Sequence, residues 1–167
     1  MENTSLRLVG RAATAVLEQL TTGLGDGNSR AFDEPTHTHM ALEVRRLTSD
    51  PAGSLFSIGH YHAQQVGQNR SVLADPEVLF VRFAHGSWLP LSLCTPFEHV
   101  VTVDLRRVPR ILRPAEHARL VRLVDDWMLN VARAGLLPIA EPISEHQQMW
   151  SRSASAAVSS KLRDALA

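Results

Sequence analysis

One cysteine, Cys94, stands among the 167 residues, which excludes an intramolecular disulfide and any zinc site made of cysteines alone. Placed at a strand centre, it reads as a small buried hydrophobe. One lysine, Lys161, accompanies sixteen arginines, so a phosphate-binding loop with its lysine is missing, as are GxGxxG, GxSxG and HExxH. Those absences remove the standard nucleotide loop, the serine nucleophile on a strand-to-helix turn and the helical zinc site, and no cofactor is implied. No apolar run approaches the roughly 20 residues that cross a bilayer, so no membrane partner is expected. MENTSLRLVG places an acid and polar residues where an export signal would carry positive charge and then an apolar stretch, which makes the cytoplasm the expected address. Excess charge is missing too. Lys and Arg number 17, Asp and Glu 17, and the parts before and after Phe83 carry only about −2 and +2. No broad cationic field is available to hold nucleic acid, so direct nucleic-acid binding is the less favoured partner reading.

What is present is enough apolar sequence, 44%, for one core in one domain, expected over residues 1–143. Residues 5–22 place Leu6, Val9, Ala13, Val16, Leu17 and Leu20 at three- and four-residue spacings, which predicts a helix ended by Gly23. GLGDGNSRAFDEPTHTH has no period and predicts a long loop over residues 23–40. Then come ALEVRRL, LFSIGHYH, EVLFVRF, SWLPLSL and EHVVTVDL, apolar runs separated by turn-like segments, which predict five strands in an antiparallel meander. Leu79, Val81, Phe83, Leu89, Leu91, Leu93, Val101, Val103 and Leu105 are the expected core face, and Pro90, with no amide hydrogen, belongs at a bulge or edge. A second helix opens at Pro114, carries Leu120, Val121, Val124, Trp127, Met128 and Val131 as a stripe, and ends at Gly135 and Pro138. The fold class expected is α+β, a five-stranded sheet with both helices packed on one face. Arg45, Tyr61, Arg82, Trp88 and Thr102 would share the other, partly exposed face. The Ser- and Ala-rich stretch 144–167 is a tail, a weak helix or a partly ordered end.

Chemistry is thinly signalled. His37 with His39, and His60 with His62, repeat at the two-residue spacing that points strand side chains the same way, but no third ligand accompanies either pair, and packed histidines are the expectation. Cys94 and His99 lie across a turn with no oxyanion-type glycine loop, so no catalytic residue is expected. Asp125 and Asp126 read as the solvated side of the second helix. Arg106, Arg107, Arg110 and Arg113 form the one local cationic cluster, suited to phosphates or an acidic protein surface. Tyr61 and Trp88 on an exposed sheet face would make a contact hot spot, burial under the long loop being the alternative.

FSIGHYHAQQVGQ, LADPEVLFVRF, SWLPLSL and a terminal helix with a central Trp together resemble a family of proteobacterial proteins, a domain of unknown function carried by integrative and conjugative elements and prophages. The match lies at Ser57, Ile58, His60, Tyr61, Gln64 or Gln65, Asp75, Pro76, Glu77, Trp88 and Pro90, within about residues 42–135. His62 departs from it, standing where the family tends to have an aromatic. The resemblance implies a small accessory protein of mobile DNA, a class that includes inhibitors of host defence such as anti-CRISPR proteins. The expected function is therefore non-catalytic binding to a host protein or nucleoprotein complex through Arg106, Arg107, Arg110, Arg113, Tyr61, Trp88 and His60. A metal-dependent enzyme using His60 and His62 is the alternative. An exposed edge strand or the apolar tail could pair two copies about a two-fold axis, which leaves a homodimer open.

Overall fold

A computed structural model of the chain describes residues 6–33, 41–106, 108–135 and 137–138. His37, His39, Arg107 and the tail 144–167 lie outside them. In chain order the elements are α1 (Arg11–Thr21), β1 (Ser29–Asp33), β2 (Leu42–Asp50), β3 (Gly53–Val66), β4 (Asn69–Phe83), β5 (Trp88–Cys94), β6 (His99–Val101), β7 (Val103–Asp104), β8 (Arg110–Ile111), α2 (Pro114–Ala134) and β9 (Leu137–Pro138). The fold is α+β. Strands β1 to β6 form the antiparallel meander, β9 extends it beyond β1, and β7 and β8 make a separate two-stranded ribbon.

Among the described residues the sheet has seven strands rather than five, and the structure shows why β1 joins it and why the last apolar run divides. SRAFD, inside the expected loop, becomes β1 because β2 offers it an edge: Ser29 pairs with Arg45 and Phe32 with Leu42. Such a pairing partner is remote in sequence and leaves no period. The run EHVVTVDL divides at Thr102, whose amide donates to Leu91 O at 2.8 Å while its own carbonyl accepts from Leu112 N at 2.9 Å. There the chain exchanges β5 for β8 as its neighbour.

Both faces of the sheet are buried, and the helices cover the face opposite to the one expected. Leu42, Val44, Phe56, Ile58, Val78, Phe80 and Trp88 meet Leu17, Leu20, Leu120, Val124 and Met128 on the helix side. Leu79, Leu89, Leu91 and Val103 pack instead with Leu55, Leu6, Val81, Phe83 and Leu105 on the far side. Period two cannot say which side of a strand faces a helix when both sides are apolar. The β4–β5 register also slips: Phe80 pairs with Pro90 but Leu79 with Ser92, so Leu91 is unopposed and Leu93 turns to the helix side. Pro90 sits beside this bulge, as its missing donor requires.

Helix α1 starts at Arg11, later than its apolar spacing implies, because residues 6–10 are committed elsewhere. Val9 N donates to Trp88 O at 3.0 Å, and Gly10 N donates to Asp125 Oδ1 at 2.8 Å. A carboxylate from α2 thus sits at the α1 N-terminus, where orphan amides and the helix dipole favour negative charge. Asp125 is half-buried and structural, a correction to its reading as part of a solvated face. Helix α2 follows its stripe closely, with Pro114 in the first turn and Gly135 as a left-handed C-cap at φ 64°.

His117, only 1% exposed, fastens the N-terminal segment to α2. Its Nε2 lies 2.9 Å from Arg7 O, which can only accept, so Nε2 carries the proton, and Nδ1 lies 3.2 Å from Thr102 Oγ1. Burial lowers its pKa, and the Arg7 charge acts the same way, outweighing the hydrogen bond to the Arg7 carbonyl. The unfolded chain therefore takes up this proton first as pH falls through 6.5, so the stability His117 contributes is present above that value and lost below it. Denaturant melts between about pH 8 and about pH 5 should show a fall in unfolding free energy below that point that is shallower in His117→Gln.

Candidate interaction surface

Strand parity separates the residues expected on one exposed face. Arg82 and Trp88 turn to the helix side, where Arg82 Nε donates to Glu18 Oε1 at 2.6 Å and Trp88 Nε1 donates to the same oxygen at 2.8 Å. Trp88 is 0% exposed and cannot serve as a contact hot spot. Thr102 is buried as well, bonded to Leu91 O and to His117. Arg45 and Tyr61 remain on the far face.

His60 also points to the helix side. Trp127 Nε1, a donor only, donates to His60 Nε2 at 3.2 Å, so that nitrogen is the acceptor and Nδ1–H donates to Ala41 O at 3.2 Å. The lone pair a metal would need is already engaged by an indole, and the two rings pack at 5.6 Å. Among the described residues, no three of His, Cys, Asp and Glu are placed to hold a metal ion. Trp127 docks α2 on the sheet through this pair while staying half-buried.

On the far face β2, β3 and β4 build a polar belt. Glu43 and Arg45, two apart on β2 and so on one side, form an ion pair at 2.6 Å with 9% and 10% of their side chains exposed. Ser57 Oγ donates to Glu77 Oε1 at 2.7 Å and lies 3.4 Å from Tyr61 Oη. Burial first, and the Glu77 charge second, push the Tyr61 hydroxyl far above its ordinary pKa, so it is a neutral phenol at any physiological pH. Cys94 pairs across the strands with Glu77 on one side and His99 on the other. Its thiol is raised by burial and by Glu77, and its nearest hydrogen-bond acceptor is Thr95 O at 4.0 Å. A thiol so placed is protonated and poorly nucleophilic. The belt satisfies itself, which is what a sheet face needs to bury charge.

The arginine cluster lies on the ribbon and beyond it. Arg106 is held by Asp104, its Nη2 2.7 Å from Oδ2, and this guanidinium keeps the Asp104 carboxyl down at about 2. Arg110, across the ribbon from Asp104, and Arg113, at the start of α2, are exposed. Around them stand apolar side chains that the expected site did not include. Of the exposed large hydrophobics, Phe97 (96%), Val101 (42%), Val108 (79%) and Leu112 (42%) all fall between residues 97 and 112. Phe97 is exposed on an ordered turn: its amide and that of Glu98 donate to Thr95 Oγ1 at 3.3 and 3.2 Å, and Thr95 N donates to Glu98 O at 2.8 Å. The sequence signal is an apolar residue beside proline within a turn, Pro96-Phe97 and Val108-Pro109. The surface therefore has apolar points on ordered backbone, rimmed by arginine, the composition of a contact patch.

No family model, no curated protein and no solved structure matches this chain.

The polar belt and the arginine surface make opposite demands, which mutation separates. Arg45→Met alone strands the Glu43 carboxylate and should cost about 3 kcal/mol, whereas Glu43→Leu with Arg45→Met should cost less than that single change. Equilibrium urea melts of the two variants measure the difference.

Proposed function

We propose that this chain is a non-catalytic binding protein that acts by covering part of another macromolecule, with the β5–β6 turn, the β7–β8 ribbon and the first turn of α2 as its contact surface. One observation carries the reading: four of the large apolar side chains left exposed gather between residues 97 and 112, among Arg106, Arg110 and Arg113. A protein that only had to fold would bury or replace a phenylalanine that is 96% exposed. The chemistry-bearing candidates point the same way, since His60, Cys94, Tyr61 and the Glu43–Arg45 pair are each engaged within the fold.

The partner is an acidic protein or nucleoprotein surface, since Asp104 is bonded to Arg106 while the Arg110 and Arg113 side chains stand exposed. On the resemblance given above, that partner belongs to a nucleic-acid-targeting defence complex of the host, and the protein is an inhibitor delivered by a mobile element. Tyr61, Trp88 and His60 have no part in this surface.

Affinity capture from the producing cells, with mass spectrometry of the co-purified chains, tests the proposal. Arg110→Glu with Arg113→Glu should abolish capture of the partner while the melting temperature stays within about 3 °C, because both side chains are exposed and an acid at the α2 N-terminus suits the helix dipole. Capture that survives the double reversal sinks it.

A further inference from the structure

The edge strand β6 carries a more specific prospect, which rests on the binding reading above. β6 ends the seven-stranded sheet on one side. Its phase follows from its flanking bonds: Thr95 N donates to Glu98 O and Thr102 N donates to Leu91 O, so residues 98, 100 and 102 are the ones bonded to β5. In an antiparallel pair the alternate residues, here His99 and Val101, stand opposite Cys94 and Ser92 without exchanging bonds, and their N–H and C=O groups point away from the sheet. Both residues are exposed. Among the described residues, two donors and two acceptors thus lie in a row on an open edge, the template for an added strand.

The surroundings of this edge specify what would fit. Leu112 N bonds Thr102 O, which places the run Arg110 to Arg113 beside the C-terminal end of β6, while the Phe97 turn stands at its other end. Between residues 97 and 116, a stretch that takes in the first turn of α2, there are four arginines against three acids, and one of those acids, Asp104, is taken by Arg106. A second copy of the chain pairing edge to edge would bring up a surface with the same excess of arginine. A three-residue strand is also too short to hold a dimer by backbone bonds alone. We infer that β6 receives an extended acidic segment of a partner protein as an additional antiparallel or parallel strand, its main chain bonded to His99 and Val101, its apolar side chains on Phe97 and Val101, and its carboxylates on Arg110 and Arg113.

The test uses the full chain and two probes, a short synthetic peptide alternating valine with glutamate and its counterpart alternating valine with lysine. Fluorescence anisotropy should show the glutamate peptide binding at least about tenfold more tightly. Hydrogen exchange should slow at the His99 and Val101 amides with that peptide and not with the other. Val101→Pro removes one outward donor at an edge position that tolerates proline, and should weaken binding about tenfold without shifting the melting temperature by more than about 3 °C. Equal affinity for the two peptides, or protection that spares His99 and Val101, overturns the inference. So does sedimentation showing that the protein pairs with itself and that Val101→Pro abolishes the pairing. If Val101→Pro captures the cellular partner normally but Arg110→Glu with Arg113→Glu does not, strand addition is wrong and the binding reading stands. If neither variant alters capture, both fail.

Discussion

The indole of Trp88 is the contact on which the arrangement depends. It sits between Phe56 and Phe80, ring centroids 5.1 and 5.9 Å away, with no exposed surface. An indole N–H so deep needs an acceptor, and leaving it without one would cost about 1–3 kcal/mol. Glu18 of α1 supplies that acceptor, with Arg82 on the same oxygen. Burial works to raise the Glu18 pKa, but the hydrogen bonds from Arg82 and Trp88 and the Arg82 charge outweigh it and lower the value, so the acceptor is a carboxylate at neutral pH. The Trp88 carbonyl meanwhile takes the Val9 amide. One residue at the start of β5 therefore fixes both α1 and the segment leading into it. Asp125 and His117 then tie the same segment to α2.

With α1 and α2 committed to one face, the other face carries no helix among the described residues. Part of it is closed by the second apolar cluster around Leu55, Leu79, Leu89, Leu91 and Val103. The remainder is a set of charged and hydroxyl side chains satisfied by one another, Glu43 with Arg45 and Ser57 with Glu77. Groups held in such pairs are poor reagents, because the Glu43 and Arg45 charges offset each other and the Glu77 carboxylate already accepts from Ser57. Bare apolar groups, exposed guanidinium groups and an outer edge among the described strands occur together where β6 gives way to the ribbon.

Much of the fold was legible from spacing. The stripe Leu120, Val121, Val124, Met128 and Val131 and the Gly135 cap define α2 without any tertiary information, because the helical period is intrinsic to the backbone. The four apolar runs from Leu55 to Cys94 and on to Val101 give β3 to β6 for the same reason. Of the proposed contact surface, the sequence marked only the cations. Arg110 and Arg113 are where a polar connection should leave them, whereas Tyr61 and Trp88, assigned to one exposed face, fall on opposite sides of the sheet and Trp88 is sealed in the core. The ladder itself separates them: Trp88 pairs with Arg82 and Arg82 with Ser54, on the face opposite to Ser57 and Tyr61, and alternation within a strand does not fix the register between strands.

By itself, the order of residues determined the fold class, the two helices, the meander and the absence of a conventional catalytic or phosphate-binding motif, because each follows from local periodicity, turn chemistry or composition. Only the tertiary structure decided which sheet face the helices cover, that β1 and β9 join the sheet, that His60 has its Nε2 engaged by Trp127, and that Phe97, Val101, Val108 and Leu112 stay exposed. Those outcomes depend on pairings between residues far apart in the chain. Such pairings are chosen by the total burial and hydrogen bonding they achieve together, a quantity that no single stretch of sequence contains.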